Sequence, residues 1–307
     1  MRIRLAALAL LAALATEGYA APSTAPARPF KAVKLDWGDG DKVHAFHYGD
    51  LTVSLSAQKG KYGKSPAIAV STPRQGKATL AGQESALGGA SATFYVLRLD
   101  PKSNGPAVIF TSFSWGAHCC TEIDVLDPIG TGWVTVNTGM WDGDGLTETP
   151  HDVDGDGIVD IVLRDNSFLY TFDAYAFSWA PPLVLNLVGG KLSDVSASSR
   201  YRRLFADDMT GAREQCLKHV NGGCAGYVAD AARIGQVDAA WKIMRTAYQR
   251  QVDPMFQPTV CAAAMTGKTC PTGKEQKIKS FPEALAWFLA NQGYIKAEKA
   301  HALAAAR

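Results

Sequence analysis

The sequence predicts a mainly β N-terminal domain, made of blade-like antiparallel sheets or a β-sandwich, followed by a small α-helical C-terminal domain. Two observations support this fold class. Between residues 33 and 198, short runs rich in β-branched and aromatic residues alternate with Asp, Gly, Pro and Asn. From residue 199 onward, apolar residues recur at helical spacing instead. We therefore predict a β-rich domain over 33–198 and a disulfide-stapled helical domain over 199–307.

The N-terminus has the layout of a secretory signal. Arg2 and Arg4 precede an apolar run that ends at Ala15, and small residues follow up to Ala20. The apolar run is too short to span a bilayer, which takes about 20 residues. We expect a signal peptide over 1–20, a flexible Pro/Ala/Ser tether over 21–32, no membrane span, and a periplasmic or secreted location.

The charge balance argues against nucleic acid as a partner. The chain has 31 Lys+Arg and 29 Asp+Glu, a formal net charge of +2. Loss of the predicted signal peptide removes two arginines and one glutamate, so that the net charge becomes +1. The lysines are scattered along the chain, and a nearly neutral chain lacks the basic patch that nucleic acid requires.

The strands of the β-rich part are predicted one by one from their composition. The run "LTVSLS" alternates between apolar and polar residues, as expected for a strand with one buried face. The other predicted strands are "SATFYVLRLD", "AVIFTSFSW", "GWVTVNTG", "GIVDIVLRD", "FLYTFDAYAF" and "PLVLNLVGG".

The helices are predicted from spacing and end signals. The first is "YRRLFADDMTGAREQCLKHV", which "NGG" is expected to terminate, and "AGYVADAARIG" and "VDAAWKIMRTAYQRQ" are predicted to follow. In "SFPEALAWFLANQGY", Ser280 and Glu283 have capping-box spacing and Pro282 falls in the first turn. The alanine-rich tail from Ile295 is also predicted to be helical.

The segment "HDVDGDGIVDIVLRD" predicts a calcium-binding loop. Counted from Asp152, aspartates occupy loop positions 1, 3, 5 and 9, position 6 is a glycine, and position 7 offers a backbone carbonyl. Oxygen ligands on a turn suit a hard cation that takes six to eight oxygens, so calcium fits better than zinc or copper. The alternative is a plain Asp-Gly turn. The predicted ligands are Asp152, Asp154, Asp156, Ile158 and Asp160.

This loop is not an EF-hand, because position 12 is Leu163 rather than a bidentate Glu and the following residues are strand-like. It resembles the D-x-D-x-D-G-x-x-D loop of FG-GAP/VCBS-type repeats, found in integrin-like β-propellers and secreted bacterial proteins. The resemblance covers one clear repeat and implies that the loop joins two strands of a blade and binds calcium.

Two further segments are weaker echoes of the same pattern. "DWGDGDK" contains Asp36, Asp39 and Asp41, and "WDGDGLTE" contains Asp142, Asp144 and Glu148. Neither segment completes the spacing, and Asp-Gly turns explain both. A closed propeller is not expected, because the β region has room for three or four blades of about 40–45 residues.

The cysteines predict disulfides, since an even number occurs in a chain with an export signal. They are Cys119, Cys120, Cys216, Cys224, Cys261 and Cys270. Their pairing stays open, including whether Cys119 and Cys120 join each other or other partners. A soft-metal or redox site formed with His118 is the less favoured alternative, because adjacent strand residues point to opposite faces. His44 and His47 are interpreted as an incidental pair.

The predicted function follows from the calcium loop and from the missing catalytic motifs: the sequence contains no H-E-x-x-H, G-x-S-x-G, phosphate-binding glycine loop or dinucleotide fingerprint. We expect an exported, calcium-binding, non-catalytic interaction or structural module, whose partner is an envelope protein or glycan. The alternative is an envelope polysaccharide hydrolase or lyase that uses Asp142, Asp144 or Glu148 as acid and base.

Overall fold

The computed structural model describes residues 32–305, with gaps at 43, 86–88, 115, 117, 144, 252–253, 257–258, 262–270, 274 and 279. The predicted signal peptide, residues 1–20, lies outside the described residues. The same holds for all of the predicted tether except Ala32. The two predicted parts of the chain are confirmed: antiparallel sheets occupy residues 33–194, and helices follow over residues 199–305.

The described residues of the β-rich part form three antiparallel sheets. The first sheet has the order β2–β3–β4–β5, the central sheet β1–β6–β7–β8–β9 and the third sheet β10–β11–β12. The strands are β1 Val33–Gly38, β2 Ala45–Tyr48, β3 Leu51–Lys59, β4 Lys64–Thr72, β5 Gly76–Ala81, β6 Ser91–Leu97, β7 Ala107–Phe113, β8 Cys119–Ile129, β9 Gly132–Asp142, β10 Asp160–Arg164, β11 Pro182–Val188 and β12 Lys191–Asp194.

The central sheet packs on both of its faces. On one face, Phe94 and Phe110 share a buried core with Val53 and other residues of the first sheet. On the opposite face, Ile109 and Leu185 belong to a core shared with the third sheet. Strand β7 therefore has nearly all of its residues buried, as expected for a strand covered on both sides. By contrast, β3 alternates between buried and partly exposed residues, as its sequence pattern predicts.

The prediction of a strand over residues 168–177 is wrong. This segment forms turns and two 3-10 helices, Asn166–Phe168 and Tyr175–Phe177. The side chain of Asp165 accepts a 3.0 Å hydrogen bond from the Ser167 N–H and caps the first of them. The buried aromatic rings of this segment pack into the helical core rather than against a sheet.

Five α-helices form the C-terminal part of the described chain. A 3-10 turn over Ser199–Tyr201 leads into the first helix, and a further 3-10 turn spans Pro254–Phe256. The short strands β13 Thr259–Cys261 and β14 Glu275–Lys277 pair with each other. The helices are α1 Arg202–Leu217, α2 Asn221–Arg233, α3 Val237–Ala247, α4 Phe281–Asn291 and α5 Ala297–Ala305.

Two of the predicted helix ends differ in the structure. The "NGG" segment begins α2, whereas α1 already ends at Leu217. The Asn221 side-chain amide exchanges two hydrogen bonds with the Gln249 backbone. A side chain at Gly222 would collide with the Phe177 carbonyl, so glycine here permits close packing. Ser280 lies at the N-cap position of α4, but its side chain makes no capping hydrogen bond.

The helices and the strands belong to one compact unit. Phe168 and Phe172 lie before the helical part in sequence, yet both are buried in the core that the helices form. Each ring makes edge-to-face contact with Phe288 of α4, with centroids 4.8 and 5.0 Å apart. Burial of such a side chain contributes about 1.5–3 kcal/mol, so this segment helps to hold the helices against the β-rich part.

Within the described part of the chain, no helix combines the length and apolar character needed to cross a membrane.

Candidate metal centre

The predicted calcium loop lies between β9 and β10 and leads directly into β10. Gly155 and Gly157 have φ angles of 79° and 89°. This left-handed region strains residues with a side chain, so the two glycines allow the tight turns that the loop makes. The local sequence thus dictates a compact loop, and the strand that follows anchors its C-terminal end.

The loop brings three of its four aspartates together. Asp152, Asp154 and Asp156 each offer a carboxylate oxygen, and these oxygens lie within 4.8 Å of one another. Both oxygens of Asp152 accept backbone N–H groups, at 2.7 Å from Gly155 and 2.9 Å from Gly157. The loop backbone therefore holds the carboxylates close together although their like charges repel.

Asp160, the fourth aspartate, is not part of this cluster and is nearly fully buried. Its Oδ1 accepts hydrogen bonds from the Tyr201 hydroxyl at 2.6 Å and from the Asn186 amide at 2.7 Å. Its Oδ2 accepts the Val153 N–H at 2.8 Å. A carboxylate has about four acceptor positions, so Asp160 keeps about one on Oδ2, and its predicted role as a ligand stays a prediction.

A positive charge from outside the loop faces the cluster. Nη1 of Arg200 lies 3.3 Å from Oδ2 of Asp156 and 3.7 Å from Oδ2 of Asp154. The Asp154 side chain is only 3 % exposed, whereas the arginine is 59 % exposed. Arg200 therefore offsets part of the negative charge from the solvent side, a contact that the loop sequence does not indicate.

Tyr201 lies beneath the loop, next to Arg200 in sequence. Burial raises the pKa of its hydroxyl, and the hydrogen bond to Asp160 and the charges of Asp154 and Asp156 raise this pKa further. The hydroxyl therefore keeps its proton and donates a hydrogen bond to Asp160. Through this contact the start of the helical part supports the acidic loop.

The donor set fits calcium chemically. It consists of carboxylate oxygens on a loop, which are the ligands that a hard divalent cation prefers. The carboxylates that converge are those at positions 1, 3 and 5, while Ile158, the predicted backbone ligand, follows within the same turn. Its N–H is already directed inward to Oδ1 of Asp156, at 2.8 Å.

The two weaker aspartate segments do not form comparable clusters among the described residues. Asp39 pairs with Lys64 at 2.8 Å, and Oδ2 of Asp41 accepts the Gly38 N–H at 2.8 Å. In the second segment, Asp144 lies outside the described residues. Asp142 lies 4.0 Å from His118, and Glu148 lies 4.0 Å from His151, so these two acids have different neighbours.

Cys119 and Cys120 form a disulfide with each other, and Cys216 forms another with Cys224. Cys270 and the side chain of Cys261 lie outside the described residues. The His118 ring stacks on Tyr175, with centroids 4.1 Å apart, and its Nδ1 lies 2.9 Å from the Tyr170 hydroxyl.

The predicted incidental pair of histidines makes separate contacts. Nδ1 of His44 accepts the indole N–H of Trp37 at 3.3 Å. Nδ1 of His47 lies 3.1 Å from the Thr52 hydroxyl on the neighbouring strand. Each of the two histidines thus has a hydrogen-bonding neighbour of its own.

The fold and the loop define a class: a protein of stacked antiparallel sheets with an oxygen-lined candidate cation site and a helical C-terminal part. The chain belongs to the family of the "Probable thylakoid lumen protein sll0997" of Synechocystis sp. Its identity to that protein is 31% over 265 residues, which are 81% of this chain and 75% of the relative. The model of the sll0997 C-terminal domain matches residues 198–293, so the match begins beside Arg200 and Tyr201.

A second relative is the "Uncharacterized protein y4bJ" of Sinorhizobium fredii. It is 35% identical over 224 residues, which are 71% of this chain and 35% of the relative. The chain thus spans about a third of the length of that relative. No solved structure matches the chain.

Proposed function

We propose that this chain is an exported, calcium-binding interaction or structural module of the cell envelope without catalytic activity of its own. The observation that carries the proposal is the convergence of the carboxylates of Asp152, Asp154 and Asp156 within 4.8 Å. Like charges at this separation disfavour one another unless a cation lies between them. The FG-GAP/VCBS resemblance of the same residues supports calcium as that cation.

The structural part of this role follows from what surrounds the loop. Asp160 is the last aspartate of the loop and the first residue of β10. It accepts a hydrogen bond from the Tyr201 hydroxyl at the start of the helical part. A cation held by the loop would therefore stabilise the junction between the third sheet and α1. Export is supported by the signal layout at the N-terminus and by the name of the Synechocystis relative, which assigns that protein to the thylakoid lumen.

Thermal unfolding in calcium and in EGTA tests the proposal. A ligand that binds only the folded state adds about 2.7 kcal/mol at a hundredfold excess over its Kd. For a chain of this size the expected rise in Tm is about 4–5 °C. Magnesium should raise Tm less, because its smaller ion demands a stricter octahedral shell.

Two variants complete this experiment. Asp154→Asn removes one charged ligand and should abolish most of the calcium-dependent rise in Tm. Asp50→Asn, in the exposed turn between β2 and β3, makes the same chemical change outside the loop and should leave the rise intact. Equal Tm values with calcium and with EGTA, or an undiminished rise in Asp154→Asn, would reject the site.

A hydrolase or lyase acting on envelope polysaccharide is the alternative function. The observation that favours it is that Glu148 lines a cavity together with a second carboxylate, Asp36. Turnover of peptidoglycan or acidic polysaccharide by the native protein that disappears in Glu148→Gln, with the calcium effect on Tm retained, would establish this alternative.

A further inference from the structure

The central sheet has one face that is only partly covered. On this face, Tyr95 of β6 and Ile109 of β7 lie opposite each other and form one row of side chains. Both belong to the core shared with the third sheet. Two residues further along these strands, Thr93 and Thr111 are opposite each other, and Asp36 of β1 adjoins Thr93. This second row lines an open groove of about 680 Å³.

The size and walls of this groove suit a small ligand, because such sites occupy about 300–1,000 Å³. The segment Leu146–Thr149 forms one wall, and Phe113 and Thr121 extend the floor. A second cavity of about 490 Å³ is also lined by Thr147 and Glu148. The two cavities therefore adjoin at this segment.

The hydroxyl groups of the groove are already oriented by the protein. Thr93 donates to Oδ1 of Asp36 at 2.5 Å, and Thr111 donates to the Thr93 carbonyl at 3.2 Å. Thr147 donates to the Val162 carbonyl at 3.1 Å. A hydroxyl has one hydrogen and two lone pairs, so these side chains present mainly acceptors. The groove therefore fits a ligand that is rich in hydrogen-bond donors.

The charges of the groove narrow the choice further. Among the described lining residues, the carboxylates of Asp36 and Glu148 face one ammonium group, that of Lys34. The adjoining second cavity adds Asp207 and Asp208 against Arg164. Negative groups outnumber positive ones in both cavities, so an anionic ligand would meet repulsion.

The floor of the groove is closed to strand addition. Strands β6, β7 and β8 each have a paired strand on both sides, so their backbone groups are already paired, and the edge strand β1 contributes the side chains of Lys34 and Asp36 to the groove. Most of the polar side chains that line the groove are hydroxyls. We propose that this groove binds a neutral, hydroxyl-rich saccharide chain. The inference rests on the proposed interaction module and names the class of its partner.

Calorimetric titration of the full chain with defined oligosaccharides tests this proposal. The neutral probes are cellotriose, maltotriose and chitotriose, and the charged probes are trigalacturonate and an acetylated trilysine peptide. We expect at least one neutral probe to bind with a Kd of about 1 mM or lower, and trigalacturonate to bind at least fivefold more weakly.

Two groove variants locate the binding. Glu148→Gln removes a charged acceptor on an exposed segment and should raise Kd about tenfold, and Thr93→Val should raise it about threefold. The matched controls are Glu214→Gln on α1 and Thr135→Val on β9, both exposed and outside the groove. Their Kd values should equal that of the native protein, and the Tm of each variant reports that it is folded.

Several outcomes would overturn the inference. These are failure of all three neutral probes to bind, tighter binding of trigalacturonate or the lysine peptide, and Kd values that are unchanged in both groove variants. The titrations are run in calcium and in EGTA. If no saccharide binds but calcium still raises Tm, this inference alone is rejected. If a saccharide binds but calcium does not change Tm, the metal site alone is rejected.

Discussion

The hydroxyl of Tyr201 donates a 2.6 Å hydrogen bond to the buried carboxylate of Asp160. The two residues are 41 positions apart in sequence, and the contact joins the turn before α1 to the first residue of β10. Asp160 also accepts the N–H of Val153 inside the acidic loop. One carboxylate therefore links the candidate cation site, the third sheet and the helical part.

Replacement of Tyr201 by phenylalanine should destabilise the protein by about 1.5–3 kcal/mol, because a buried carboxylate loses a charge-assisted hydrogen bond. Urea unfolding measures this loss. Tyr62→Phe removes the same hydroxyl from a ring that is 70% exposed and should change the free energy of unfolding by less than about 0.5 kcal/mol. Equal values for the two variants would contradict the structural role of Tyr201.

We expect Arg200 to compete with a bound cation for the acidic loop, since its guanidinium lies 3.3 Å from Asp156. We expect Arg200→Gln to lower Tm in EGTA, where the carboxylates lose their positive neighbour, and to widen the gap between Tm in calcium and in EGTA. Arg203→Gln, whose side chain is 95% exposed, serves as the control. A gap that narrows in Arg200→Gln would show that the arginine assists the cation rather than competing with it.

The strands were predictable where residues alternate, as in Leu51, Val53 and Leu55, because alternation reports one buried face. The aromatic segment around Phe168 and Phe172 misled the prediction. Its composition favours strands, but these rings are four residues apart and pack against α4. Composition alone does not say which surface a side chain will meet, so tertiary packing decided this segment.

The candidate site also combines residues that a local sequence pattern identifies with residues that only tertiary packing brings there. The spacing of Asp152, Asp154 and Asp156 is local, and a tight turn brings such residues together wherever it occurs. Arg200 and Tyr201 reach the loop through the packing of α1 against the third sheet. No local pattern indicates that contact, so these two residues could not be identified from the sequence.

The buried carboxyl group of Asp230 makes stability depend on pH. Desolvation raises its pKa well above the ordinary value, and the charge of Asp208 raises it further. A carboxyl group whose pKa is raised in the folded state favours folding while the group is protonated. This stabilisation is complete below the unfolded-state pKa of about 3.9 and is lost as the pH rises through the folded-state pKa. The native protein should therefore lose stability on this account from about pH 4 upward.

Asp230→Asn removes this titration. The free energy of unfolding of the variant should therefore increase relative to that of the native protein as the pH rises above about 4. Urea unfolding at a series of pH values gives the difference between the two proteins. Asp207→Asn, on the neighbouring helix and 76% exposed, should follow the native protein closely. A constant difference between Asp230→Asn and the native protein over this range would refute the proposed pH dependence.

The two disulfides among the described residues should contribute very differently to stability. The bond between Cys216 and Cys224 spans a sequence separation of 8 and joins α1 to α2, whereas Cys119 and Cys120 are adjacent. A cross-link stabilises mainly by restricting the unfolded chain, and adjacent residues close no loop. The double variant Cys216→Ala/Cys224→Ala should therefore lower the free energy of unfolding by about 2–4 kcal/mol.

The matched double variant at Cys119 and Cys120 should lower the free energy of unfolding distinctly less. Urea unfolding of both variants under oxidising conditions makes the comparison. A larger loss from the adjacent pair would show that this disulfide supports the surrounding fold directly, through its contacts in β8, rather than through chain entropy.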